Sequence, residues 1–229
     1  TVSPHSKKEI IKKYKIPKEK IQVVYNTASE QFRPRNSDEP GYSEILKEYS
    51  LPKKYLLYVG VVERRKNILG LINILDLLEK ERSDLQLVII GKPGYDSEAI
   101  LPEILKRKKT IKYLNFVSDE ALAYIYNSAF AFIFPSFYEG VGIPPLEAMQ
   151  SAIPVLSSNT SALIEVVGEG GLIHNPNDYT GFVNDILRLE RDEKFYSLMK
   201  SKALEQSKKF SIKETTKQLV GIFKEYTKN

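Results

Sequence analysis

The 229-residue chain contains no cysteine. That absence excludes disulfides, zinc–thiolate sites, iron–sulfur clusters and cysteine nucleophiles, and it fits a reducing cytoplasm. No apolar run approaches the roughly 18–20 residues that a membrane-spanning helix needs; strings such as AFAFIF at 129–134 are strand-sized. Histidine occurs only as His5 and His174, no His/Asp/Glu cluster has metal-ligand spacing, and no Asp-x-Asp occurs, so no metal site is expected. His5 reads as a surface residue far from the loops discussed below, and His174 as structural. There is no internal repeat and no low-complexity tract. The glycine pattern G-x-G-x-x-G is missing after the first long strand, which removes a dinucleotide oxidoreductase. The chain opens TVSPHSKKEI, with neither Met nor a signal-peptide pattern. It reads as a processed or cut chain with residues missing upstream.

What is present is an ordinary globular composition, 42% hydrophobic and 28% charged, with a net charge of +5 carried mostly by lysine. The length suits one large domain or one domain with appendages. The densest basic stretch, residues 7–20, holds seven Lys against two Glu. It reads first as a solvated helix face and second as a surface that leans on anionic lipid headgroups. Nucleic acid is not expected, because no Arg cluster, stacking aromatics or recognition helix accompanies the lysines.

Strand-like and helix-like segments alternate along the chain. A helix over about 6–14 and a strand at 21–25 (IQVVY) precede a break at 33–42, RPRNSDEPGY. Strands follow at 55–60, 85–91, 111–116, 130–135, 154–158 and 170–174. Helices fill 67–81, about 97–107, 118–127, 144–151, a short stretch ending near Gly168, 178–190, about 192–208 and about 212–226. In the first of these, Ile68, Leu71, Ile72 and Leu75 recur at helical spacing. Ser118 is an expected N-cap. Strands this apolar are buried on both faces, so the fold class is α/β: a Rossmann-like parallel sheet with helices on both faces. We divide it into a helix–strand segment (1–36), the main domain (37–210) and a C-terminal helix (211–229). In such sheets ligands bind at the carboxyl ends of strands, which singles out the loops after each strand.

Two of those loops carry chemistry. The segment PSFYEGVGIPPLEAM, residues 135–149, holds Glu139 and Glu147 with seven residues between them. Pro144–Pro145 open a helix, and the bare backbone of Gly140, Val141, Gly142 and Ile143 just before it can approach an anion such as a diphosphate. Glu147, one turn into the helix, is placed to accept ribose hydroxyls. Taken alone, the two glutamates also read as surface acids. The segment YVGVVERRKNILG, residues 58–70, puts Arg64, Arg65 and Lys66 before a helix start, where cations oppose the helix dipole. A bound diphosphate would explain them; so would a loop cluster with Glu63 as its counter-ion.

Together, the segments TVSPHSKKEI, IQVVYN, YLLYVGVVERRKN, LVIIGKPG, VSDEALAYIYNSA, PSFYEGVGIPPLEAM and PVLSSNTSALIEVVG, and one around Phe210, resemble the C-terminal, nucleotide-sugar-binding half of retaining GT-B glycosyltransferases of family 4, the group 1 transferases. They run in family order over nearly the whole chain. The resemblance implies that Glu139 sits against the donor sugar, that Glu147 binds the ribose, and that the backbone of Gly140–Ile143 cradles sugar hydroxyls and diphosphate. It implies that Lys66 neutralises the leaving diphosphate. Many members carry Arg directly after the strand glycine, here Gly60, where this chain has Val61, so Arg65 beside Lys66 takes that role and Arg64 is the lesser candidate. The loops at Gly91–Lys92 and Phe116–Val117 are placed to meet the base, and Gly60 and Val61 are counted among the donor-binding residues. The implied function is sugar transfer from a nucleoside diphosphate sugar (UDP-, GDP- or ADP-linked) to a hydroxyl, with retention and no further cofactor. The expected partner is an acceptor-binding N-terminal half or subunit, and the expected place the cytoplasm, at the inner membrane face for the lipid-leaning reading. The isolated chain is expected to be inactive. The competing reading is a non-catalytic nucleotide-sugar or nucleotide-binding module.

Overall fold

The computed structural model describes residues 1–81 and 83–227. The last two residues of the C-terminal segment read from sequence, 228 and 229, lie outside the described residues. Six parallel strands form one sheet: β1 (Tyr55–Val59), β2 (Gln86–Ile90), β3 (Ile111–Leu114), β4 (Ala131–Phe134), β5 (Val155–Ser158) and β6 (Leu172–His174). Their order is β3-β2-β1-β4-β5-β6. Consecutive residues of β1, β2, β4 and β5 are buried. Successive side chains of a strand point to opposite faces, so both faces of the sheet are covered, and the strands are accordingly continuous apolar runs.

The covering helices are α1 (Pro4–Tyr14), α2 (Tyr42–Glu48), α3 (Ile68–Lys80), α4 (Leu101–Lys106), α5 (Asp119–Ser128), α6 (Ile143–Gln150), α7 (Leu163–Val167), α8 (Tyr179–Arg191), α9 (Glu193–Ser207) and α10 (Ile212–Tyr226). α3 packs against α8, α6 against α9 and α2 against α5. α3 buries Ile68, Leu71, Ile72, Ile74, Leu75 and Leu78, the stripe its periodicity demands. α10 buries no residue, although it carries Leu219, Val220 and Phe223. Among the described residues, no helix is long and apolar enough to cross a membrane.

Two elements differ from the sequence reading. Residues 21–25 join no strand of the sheet; there the Val24 N–H bonds the Thr1 carbonyl at 2.8 Å. β-branched residues gave the segment strand character, but a ladder partner decides whether a strand forms. Helix α2 was not expected. It starts directly after Gly41, whose φ of +85° turns the chain out of the Pro- and Gly-rich break, and it buries only Tyr42, too little periodicity to read in seven residues.

The strand order reverses between β1 and β4, where Leu57 pairs with Phe132. Crevices outside the carboxyl ends of the strands at such a switch point are where open α/β sheets bind ligands. The loops after β1 and β4 meet there: the Phe137 N–H donates to the Arg65 carbonyl at 2.9 Å. Asn67 fixes this junction. It adopts the left-handed conformation (φ 57°), which Asn tolerates better than most residues, ending a 3-10 turn over Arg64–Lys66 and starting α3. Its side-chain amide donates to the carbonyls of Pro135 (3.1 Å) and Pro176 (2.8 Å), tying three loops together.

Candidate functional site

An aromatic ladder underlies the switch point. Tyr126 of α5 packs on Phe132, Phe132 on Phe134 of the same strand, and Phe134 stacks on Tyr58 of β1, with centroids 5.6–5.8 Å apart. Phe132 and Phe134 are two apart on β4 and therefore share a face. The two glutamates of the 135–149 segment stand at this ladder. The Lys66 ammonium lies 5.1 Å from the Phe134 centroid, and the Tyr126 hydroxyl donates to Glu147 Oε2 at 2.8 Å.

Glu139 is buried, with 7% exposure, and its carboxylate gathers three donors. Lys66 Nζ reaches Oε1 at 2.6 Å, Ser136 Oγ reaches Oε1 at 2.7 Å, and Arg65 Nη1 lies 3.1 Å from Oε2. A buried charge needs such partners to avoid the cost of desolvation. Arg65 also pairs with Glu63 and donates to the Tyr138 carbonyl, so the counter-ion role considered for Glu63 is real. Arg64 is apart from this cluster: it is exposed and lies 3.9 Å from Asp96. An ammonium has three N–H donors, and Lys66 has one hydrogen-bond acceptor, Glu139, among the described residues. Two donors remain for a ligand.

Beside these cations the backbone offers more. The N–H groups of Gly140, Val141, Gly142 and Ile143 have no acceptor among the described residues, Pro144 and Pro145 have no N–H, and α6 has no side-chain cap. Four successive open donors at a helix start make an anion- or hydroxyl-binding surface. Gly142 holds the turn: at φ +104°, with a Cβ there falling 2.7 Å from Leu163 Cδ2, no other residue fits without strain.

Glu147 is set one turn along α6, partly buried against Tyr126. Burial pushes its carboxyl up to about 7. Burial first, and then the Glu147 charge, hold the Tyr126 hydroxyl far above its usual range; it stays a neutral donor to the carboxylate.

The remaining sequence candidates lie along the ends of β1, β2 and β3. Gly60 and Gly91 sit side by side, so close that a Cβ on Gly91 would fall 1.9 Å from the Gly60 carbonyl oxygen. The Gly60 and Val62 N–H groups bond the Ile90 and Lys92 carbonyls, both at 2.9 Å. Val61 is exposed, Lys92 Nζ lies 5.6 Å from the exposed Phe116 ring, and Val117 is buried and offers only backbone. The structure thus divides the candidates into a charged centre (Arg65, Lys66, Glu139 and the 140–143 backbone, with Glu147 on α6) and a flank at 60–61, 91–92 and 116–117.

Sequence reading missed the residues that hold the 135–140 loop. Ser136 bonds Glu139; Ser158 and Thr160 donate to the Ser136 carbonyl; the Glu139 N–H donates to Ser161 Oγ at 2.7 Å. Ser136 sits inside the PSFYEG segment and could have been found there. The others are hydroxyls in SSNTSAL, visible as residues but not as partners. His5 is a correction. Its ring lies edge-on to Tyr138, 5.4 Å between centroids, against the signature loop and not far from it. The chain doubles back there because Thr1 and Ser3 are anchored, a long-range contact that sequence does not display. His174 bonds Asp185 at 2.9 Å and packs on Phe182, as a structural residue would.

Fold and site together define a class: a Rossmann-type α/β domain with cations and open backbone N–H groups at its switch point. The chain belongs to the family described as Glycosyl transferases group 1, which it matches over residues 43–206. It is 37% identical over 228 residues to the O-antigen chain mannosyltransferase B of Escherichia coli, covering 98% of this chain and 59% of that protein. The fold is that of Anabaena HepE, solved in complex with UDP and glucose: TM-score 0.82 at 16% identity, over 97% of this chain and 61% of that one. It is also that of the C-terminal domain of LpcC, a group 1 glycosyl transferase family protein from Francisella tularensis: TM-score 0.69 at 18% identity, over 82% of this chain and 100% of that one.

Proposed function

We propose that the chain is the donor-binding half of a retaining, family 4 glycosyltransferase, with mannose the leading candidate for the sugar transferred from its nucleoside diphosphate to a hydroxyl. The observation that carries this is the run of four N–H groups, Gly140–Ile143, without an acceptor among the described residues, next to Lys66, whose ammonium has one acceptor among them. A leaving diphosphate gathers negative charge as the sugar becomes oxocarbenium-like. Donors already in place stabilise that charge without reorganising, an effect of about 3–4 kcal/mol for each donor in enzyme sites. Arg65 and Lys66 supply charge, Glu139 orients them and faces the sugar, and Glu147 accepts the ribose hydroxyls. The base rests along the flank, on the backbone of Gly60–Val61, Gly91 and Val117 and beside Lys92 and Phe116. Mannose is favoured by the 37% identity with a mannosyltransferase.

The chain spans 59% of that relative's length. In this reading the acceptor is held by a further half or a partner subunit, and transfer waits for the two to close around donor and acceptor. The exposed Lys-rich stretch Lys12–Lys20 then contacts anionic headgroups at the cytoplasmic membrane face. The test of the donor site is calorimetry on the Arg65→Gln/Lys66→Gln chain. Its affinity for the nucleoside diphosphate should fall far more than its affinity for the bare nucleoside; diphosphate binding equal to wild type removes both cations from the site.

A further inference from the structure

Helix α1 begins against the candidate site. Ser3 is completely buried and caps the helix, its Oγ accepting from the Ser6 N–H at 3.0 Å. The Gly140 carbonyl oxygen lies 2.8 Å from this hydroxyl and 3.2 Å from Ser6 Oγ, and the two hydroxyls are 2.9 Å apart; with one proton each, either both donate to the carbonyl or Ser3 donates to Ser6 and Ser6 to the carbonyl. The two hydroxyls stand 137 and 134 residues upstream of the carbonyl they share. The neighbouring His5 ring packs on Tyr138.

The carbonyl belongs to the peptide that joins Gly140 to Val141. A trans peptide is planar, so its C=O and N–H point in opposite directions. Holding the oxygen against α1 turns the Val141 N–H away from α1. That N–H is one of the four without an acceptor among the described residues. Of the two torsions that turn this peptide, the one at Gly140 is free of side-chain limits, and a Cβ there would meet only Ser6 Oγ, at 3.9 Å; the other belongs to the β-branched Val141, which resists a full flip. The hydrogen bonds of the Ser3–Ser6 hydroxyl pair to the oxygen restrain that rotation. They also polarise the peptide and strengthen its N–H as a donor.

We propose that Ser3 and Ser6 are positioning residues that lock the Gly140–Val141 peptide with its N–H presented to the nucleotide sugar. The proposal rests on the donor-site reading above. Without the hydroxyls the peptide tilts over a wider range, and its N–H points at the ligand for less of the time.

The test uses ¹⁵N-labelled chain titrated separately with GDP-mannose and UDP-glucose. Ser6→Ala keeps the helix cap, Ser3→Ala/Ser6→Ala removes both hydroxyls, and Ser6→Thr restores a hydroxyl. The double variant should bind the wild type's preferred sugar nucleotide about tenfold more weakly, the scale of one lost hydrogen bond to a charged ligand. Its Val141 amide resonance should move while those of Gly60 and Gly91 stay. Ser6→Ala should show smaller changes of the same kind, and stands in if the double variant does not fold. Ser6→Thr should match wild type. Wild-type binding that survives both alanine variants, or an unmoved Val141 resonance, overturns the positioning role alone. No binding by the wild-type chain to either sugar nucleotide overturns the donor-site reading and this proposal with it.

Discussion

Gly140 and Gly142 are two residues apart and glycine for different reasons. Gly142 is a fold requirement, at positive φ and against Leu163; Gly142→Ala should cost about 1–3 kcal/mol of stability, read by urea denaturation. Gly140 has neither constraint. Gly140→Ala should melt like wild type yet bind sugar nucleotide at least tenfold more weakly, about 1.4 kcal/mol, because the open space belongs to the ligand. Equal binding by this variant would mean that nothing approaches Gly140. Glu147 gives a pH test. Burial raises its carboxyl from 4.5 to about 7 in the folded chain, so between those values the folded state holds a proton that the unfolded state has released. Its contribution is therefore full below pH 4.5 and lost as the pH rises to 7. Stability relative to Glu147→Gln should decline across that window and level off above it, as urea melts at pH 5, 6 and 8 would show. A constant difference would place Glu147 in a solvated setting. At this scale the sequence was half legible. Glu139, Glu147, Arg65 and Lys66 stood out because local spacing put charge beside glycines and a helix start. Ser3, Ser6, Tyr126 and His5 act through contacts more than twenty residues away in sequence, and nothing in their neighbours announces a partner.

Elements were more legible than contacts where burial imposed a pattern. The four central strands read clearly because both faces are covered, which leaves no polar alternation to confuse them; the edge strands β3 and β6, only partly buried, read from their β-branched and apolar residues. Residues 21–25 have the same β-branched look and form no strand, since no neighbouring strand offers a ladder. Helix starts were readable where a side chain closes the first turn. Ser118 does so in α5, its Oγ accepting from the Ala121 N–H at 3.2 Å. Ser118→Ala should destabilise the chain by about 1 kcal/mol, and Ser118→Asp should recover most of it; thermal melts that rank alanine with aspartate would show that the cap carries no weight. The start of α3 was readable only in part. Lysine and arginine there signalled something unusual, but the left-handed Asn67 that sets the turn and ties three loops is a tertiary solution.

For the whole molecule, the parallel sheet sets the carboxyl ends of all six strands along one edge, so the proposed phosphate, ribose and base contacts come from loops of one folded unit. The parts of the site support one another within this chain: Asn67 joins the β1 and β4 loops, the 158–161 hydroxyls hold Ser136 and Glu139, and α1 holds Gly140. Donor binding should therefore not wait for another half, whereas transfer should. The most direct measurement is a calorimetric titration of residues 1–229 alone with GDP, UDP and ADP. The account predicts that at least one binds at a single site with a dissociation constant between about 1 μM and 1 mM, roughly −8 to −4 kcal/mol. Absence of binding by all three would contradict it.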